Sequence, residues 1–82
     1  MKVDGWKIVS SGDAMERDFE FENFAEAWTF MCRVAAHAEA MDHHPEWTNI
    51  YNRVHIRLTT HDMAGLSKLD QELAEKINSC IN

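Results

Sequence analysis

Asp42-His43-His44-Pro45-Glu46-Trp47 places two of the chain's five histidines beside two carboxylates, with Glu39 just upstream and a third histidine in Thr60-His61-Asp62. A histidine side chain with its reference pKa of about 6.5 can give or take a proton at neutral pH, which suits addition or elimination of water. Successive side chains of an extended backbone diverge, so His43 and His44 would contact different parts of a bound molecule. Glu39 or Asp42 could orient an imidazole or accept an N–H from a polar ring, and Trp47 and Tyr51 could supply an apolar wall.

Two other readings stay open on the residues alone. Histidines at a helix exit and a strand end are often exposed polar residues and nothing more. Three histidines near carboxylates also suit zinc, yet the helical His-Glu-x-x-His arrangement is absent and adjacent histidines are awkward for shared tetrahedral ligation, so no metal site is expected. Asp70 follows Ser67 by three positions and is either the acidic partner of a helix cap or a site residue. His37 and His55 are expected outside the cluster.

The elements that must position these residues are legible from periodicity. Residues 6–9 read as a short strand, closed by the turn-forming run Ser10-Ser11-Gly12-Asp13. Met15, Arg17, Phe19 and Phe21 then alternate with Glu16, Asp18, Glu20 and Glu22, the period of a strand with one wet side. Asn23 is placed as an N-cap with Glu26 at N3. The helix it opens runs to about Met41, with Phe24, Ala27, Trp28, Met31, Val34, Ala35, Ala38 and Met41 as its apolar face. Pro45 ends it near the histidine pair.

Residues 47–51 and 53–60 read as two further strands around a tight turn near Asn52, with Val54, Ile56 and Leu58 on one face and His55 and Arg57 on the other. This hairpin would return His61 to the side of His43 and His44. Leu66, Leu69, Leu73, Ile77 and Ile81 mark a final helix capped by Ser67. The order β-β-α-β-β-α predicts an α+β fold, a four-stranded antiparallel sheet with helices packed on one face.

Eighty-two residues make one small domain, residues 1–82, with a modest core, so burial through self-association is expected. A net charge of −6, without a basic stripe, argues against nucleic acid or an anionic membrane as partner. No stretch reaches the roughly 20 apolar residues of a membrane span and no signal-peptide run opens the chain, so a cytoplasmic protein is expected. Cys32 and Cys80 fall inside predicted helices without metal-type spacing and are expected as buried, reduced thiols.

Glu39-Ala40-Met41-Asp42-His43-His44-Pro45-Glu46-Trp47, then Asn49-Ile50-Tyr51-Asn52-Arg53-Val54, then Leu58-Thr59-Thr60-His61-Asp62-Met63-Ala64-Gly65-Leu66-Ser67 with Asp70, form a longer pattern. In it the chain resembles the pterin-4a-carbinolamine dehydratase family, from about Trp6 to Ile77. The resemblance implies dehydration of a 4a-hydroxytetrahydropterin to the quinonoid dihydropterin, the step that recycles the cofactor spent by aromatic amino-acid hydroxylases, with no metal or organic cofactor. By it His43 and His61 are the acid–base pair, one assisting departure of the 4a-hydroxyl and the other managing the proton lost from ring nitrogen. His44 positions the substrate, and Glu39, Asp42, Trp47 and Asp70 belong to the pterin pocket.

The resemblance also implies a homodimer or homotetramer. A non-enzymatic module is the alternative, because some members of the family bind a transcription factor as dimerisation partners. Members usually carry an additional helix before the first strand; with five residues ahead of Trp6, that helix is expected to be absent from this sequence.

Overall fold

The alternating segments form one sheet in the computed structural model, which describes residues 2–60 and 65–81. Strands β1 (Lys7–Val9), β2 (Ala14–Glu20), β3 (Glu46–Ile50) and β4 (Arg53–Leu58) lie in the order β1-β2-β4-β3, every neighbouring pair antiparallel. With α1 (Phe24–Met41) and α2 (Lys68–Asn78) the chain order is β-β-α-β-β-α, the expected α+β architecture. Among the described residues β1 is the first regular element.

The central strands β2 and β4 bury Met15, Phe19, Val54, Ile56 and Leu58 against Phe30 and Val34 of α1 and Leu73 and Ile77 of α2. Burial of such side chains supplies roughly 1.5–3 kcal/mol each, and strand parity alone decides which ones receive it. The opposite face is charged and paired across the ladder. Arg57 lies opposite Glu16 and donates to it at 2.8 Å, while His55 lies opposite Asp18 with Nδ1 2.7 Å from its carboxylate. His55 therefore faces away from the core, as its parity requires.

Local capping also follows the sequence. Asn23 accepts from the Glu26 N–H at 2.9 Å, and the Glu26 carboxylate accepts from the Glu22 N–H at 3.2 Å, one residue further back than a regular capping box. At the other hairpin Tyr51 and Asn52 form a two-residue connection, with Tyr51 at φ 51°.

The phase of α1 differs from expectation. Ala27, Phe30, Met31, Val34 and Ala38 are its buried residues, whereas Phe24 and Trp28 are 48% and 54% exposed and Ala35 is also exposed. At about 100° per residue, these three lie roughly 60–100° round the helix from the buried stripe. The apolar arc is wider than the surface that one sheet and one neighbouring helix cover, and Phe24 and Trp28 instead stack on each other with ring centroids 6.4 Å apart.

Cys32, expected to be buried, is exposed because it lies still further round the same helix. Cys80 is buried but sits just past the end of α2, donating to the Lys76 carbonyl at 3.2 Å. Burial pushes its thiol pKa up, against smaller lowering effects from Ser79 and Arg33, so it is a poor nucleophile. Leu69 and Ile81, expected on the buried face of the last helix, are exposed at its first turn and beyond its end. Among the described residues no helix is long and apolar enough to cross a membrane.

Candidate active site

Three element ends converge beside the histidine pair: the exit of α1, the end of β4 and the start of α2. The exit of α1 is set by Asp42, which adopts the left-handed conformation at φ 51°, ψ 42°. Its N–H donates to the Glu39 carbonyl at 3.2 Å and the next N–H, of His43, donates to the Ala38 carbonyl at 3.0 Å. This is a Schellman closure. Aspartate is among the few non-glycine residues that tolerate its left-handed position, and proline commonly follows such an end. The turn swings His43 and His44 off the helix axis.

At the start of α2, Ser67 is the N-cap and Asp70 is N3. Ser67 Oγ accepts from the Leu69 N–H at 3.2 Å, and Asp70 Oδ2 accepts from the Ser67 N–H at 3.0 Å. Asp70 is also the only buried polar or charged side chain among the described residues. The same Oδ2 accepts from the Thr60 hydroxyl at 2.6 Å, while Oδ1 lies 2.6 Å from His43 Nε2. The cap partner expected from the Ser67–Asp70 spacing is thus the same carboxylate that faces His43.

The consequence for His43 is chemical. An ionised carboxylate only accepts hydrogen bonds, so the ring nitrogen facing Asp70 is the one that carries a proton. Nδ1 is then left as the acceptor of the neutral ring, and the imidazolium formed on protonation lies beside a carboxylate. The His43 side chain is 11% exposed, so this pair sits largely out of water. His44 is different. Its side chain is 57% exposed and its Nε2 lies 2.9 Å from the Glu39 carboxylate at the surface.

Asp42, His43, His44, Pro45, Glu46, Thr59, Thr60 and Leu69 line a cleft of about 470 Å³. Ligand pockets typically span roughly 300–1,000 Å³, which accommodates a bicyclic ring. The structure therefore brings together His43, His44, Asp42 and, behind His43, Asp70, with Glu39 held through His44. Trp47 lies apart from this cleft wall: it is opposite Ile56 in the ladder and packs against the core. Tyr51 is exposed at the hairpin turn. His61 lies outside the described residues; its neighbour Thr60 lines the cleft.

Thr59, Thr60 and Leu69 also line the cleft, although neither type nor spacing marks them as site residues. Thr60 had one available signal, its position directly before His61. Among the described residues no group of three or more His, Cys, Asp or Glu side chains is placed to hold a metal ion.

The family model described as pterin 4 alpha carbinolamine dehydratase matches residues 1–80. The chain belongs to that family. Relatives named for the same dehydratase include one from Chelativorans sp., 50% identical over 78 residues that cover 95% of this chain and 80% of that protein. Another, from Novosphingobium aromaticivorans, is 53% identical over 74 residues, 90% of this chain and 77% of that one. Among solved structures, a transcriptional coactivator/pterin dehydratase from Brucella melitensis superposes with a TM-score of 0.92 at 44% identity, covering 96% of this chain and 84% of that one. A pterin dehydratase-like RuBisCO assembly factor of the α-carboxysome has a TM-score of 0.82 over 95% of this chain and 90% of that one. Its identity of 18% establishes a shared fold alone.

Because Asp70 joins a helix cap to His43, its removal strands three donors. Asp70→Ala should lower unfolding free energy by about 2–4 kcal/mol in urea titration. Glu39→Ala, which removes an exposed pair, should leave the midpoint in place. Equal midpoints for the two variants would contradict the geometry described.

Proposed function

We propose that this protein dehydrates a 4a-hydroxytetrahydropterin to the quinonoid dihydropterin and water, using histidine acid–base chemistry in the cleft at the α1 exit. The observation that carries the reading is the 2.6 Å contact between His43 and the buried Asp70 at the wall of a cleft sized for a bicyclic ring. Family membership supplies the substrate class.

The reaction breaks the C4a–O bond and a ring N–H bond, forms a C=N bond and releases water. Neutral His43, its Nε2–H donating a hydrogen bond to Asp70, accepts the ring proton at Nδ1, and the Asp70 carboxylate stabilises the imidazolium that results. His61, adjacent in sequence to the cleft residue Thr60, then assists the departing hydroxyl. His44, braced by Glu39, positions the substrate, and Glu39 and Asp42 offer acceptors to the N–H groups of a pterin. Asp70 acts through His43 and is a positioning residue. Trp47 supports the strand beneath the site. No metal or organic cofactor enters this scheme.

The chain also self-associates as a homodimer or homotetramer in this reading. The supporting observation is the stacked, exposed Phe24 and Trp28 pair on a chain of 82 residues, where small size limits the core.

Purified protein should accelerate loss of water from chemically generated 4a-hydroxytetrahydropterin. His43→Ala and His61→Ala should each reduce kcat by about a hundredfold or more. Undiminished rates in both variants would remove the assignment, and a wild-type chain without activity would favour the binding-module alternative. Sedimentation at micromolar concentration should find a dimer or tetramer; a monomer there would remove the self-association reading.

A further inference from the structure

Thr60, two residues past β4, makes contacts that neither its backbone bridge to Gly65 nor the helix cap requires. Its backbone closes the connection to α2 by pairing with Gly65, N–H to carbonyl at 3.0 Å in one direction and 3.3 Å in the other. That closure uses no side-chain atom. The hydroxyl is directed elsewhere, lying 2.6 Å from Asp70 Oδ2 and 2.7 Å from Ser67 Oγ.

Counting protons orders these contacts. A threonine hydroxyl has a single proton, and Asp70, as a carboxylate, can only accept it. The Ser67 hydroxyl must therefore be the donor in its bond with Thr60, while the Ser67 oxygen still accepts from the Leu69 N–H. The result is a one-way series: Ser67 O–H to Thr60 Oγ1, Thr60 O–H to Asp70 Oδ2, and His43 Nε2–H to Asp70 Oδ1. Among the described residues no buried side-chain polar atom is left without a partner.

We infer that Thr60 is a positioning residue for the proposed dehydration, whose hydroxyl, itself set by Ser67, fixes the Asp70 carboxylate so that His43 is held in its Nε2–H tautomer. Two donors on Oδ2, the Thr60 hydroxyl and the Ser67 N–H, restrain rotation of the carboxylate and leave Oδ1 aimed at the imidazole. Without the hydroxyl, Oδ2 keeps the Ser67 N–H alone. The carboxylate can then turn about its terminal bond, where the torsional well is broad, and the His43 tautomer with the proton on Nδ1 becomes accessible. That tautomer presents a donor where the reaction needs an acceptor. The inference rests on the dehydratase reading for its consequence in rate, but not for its consequence in tautomer.

The test is long-range proton–nitrogen correlation NMR on the full chain labelled at histidine nitrogen, in mildly alkaline solution, with the His43 signals assigned by their loss in His43→Ala. Wild type should show one His43 tautomer, protonated at Nε2. Thr60→Val, which keeps the shape and removes the hydroxyl, should show both tautomers and about a tenfold lower kcat with KM little changed, the scale of one hydrogen bond to a charged group. Thr60→Ser should restore the single tautomer and the rate.

A Thr60→Val chain that keeps one Nε2–H tautomer overturns the inference whatever its activity. Should that variant not fold, Ser67→Ala, which removes the more distant donor, must produce the same change in smaller degree. An unaltered spectrum there also overturns it. A wild-type chain that shows the expected tautomers but no dehydration supports the positioning role and contradicts only the dehydratase reading.

Discussion

A buried carboxylate holds the site together. Asp70 is wholly out of water, and an ionised group in that position is tolerated only when donors replace its hydration. It has three: the Ser67 N–H, the Thr60 hydroxyl and the His43 ring nitrogen. Each comes from a different element end, so satisfying one charge also fixes the exit of α1, the end of β4 and the start of α2 relative to one another. The position at N3 adds the favourable field of a helix N-terminus. Removing any donor leaves the buried charge less well satisfied, which is the sense in which folding and proposed chemistry share the same carboxylate.

The helix exit solves a complementary problem. A histidine on the last turn of α1 would keep the direction of the helix surface, whereas the site needs one imidazole turned toward α2 and its neighbour toward solvent. The left-handed Asp42 and the following Pro45 make that reversal within three residues. His43 ends beside the buried carboxylate and His44 beside Glu39 at the surface. Adjacent residues of the same type thereby receive different environments, a sheltered ring against a buried carboxylate and an exposed ring against a surface one.

Much of this was legible in the sequence because it depends on local rules. Strand parity in β2 and β4 specifies the buried face, and Asn23, Ser67 and Pro45 mark helix limits through the needs of unpaired backbone groups. The phase of α1 was less accessible. Its apolar residues cover more of the helix than the fold can bury, so Phe24 and Trp28 share a periodic pattern with Met31 and Val34 while Phe30 completes the core from the other side. Only the packing partner decides where the buried stripe is centred. The double role of Asp70 also lay beyond the sequence pattern, since the Ser67–Asp70 spacing accounts for the cap but says nothing of a histidine 27 positions away. For Trp47 and Tyr51, aromatic character suggested a pocket wall, but parity and the hairpin turn place one against the core and the other in solvent.

The most direct measurement is a crystal structure of the protein with a reduced pterin analogue bound. The bicyclic ring should lie in the cleft lined by His43, His44, Thr59, Thr60 and Leu69, with the ring N–H beside C4a facing His43 Nδ1 and the Nε2–Asp70 contact intact. An analogue seated elsewhere, for instance on the charged sheet face around His55 and Arg53, or a His43 ring turned so that Nδ1 meets Asp70, would contradict it.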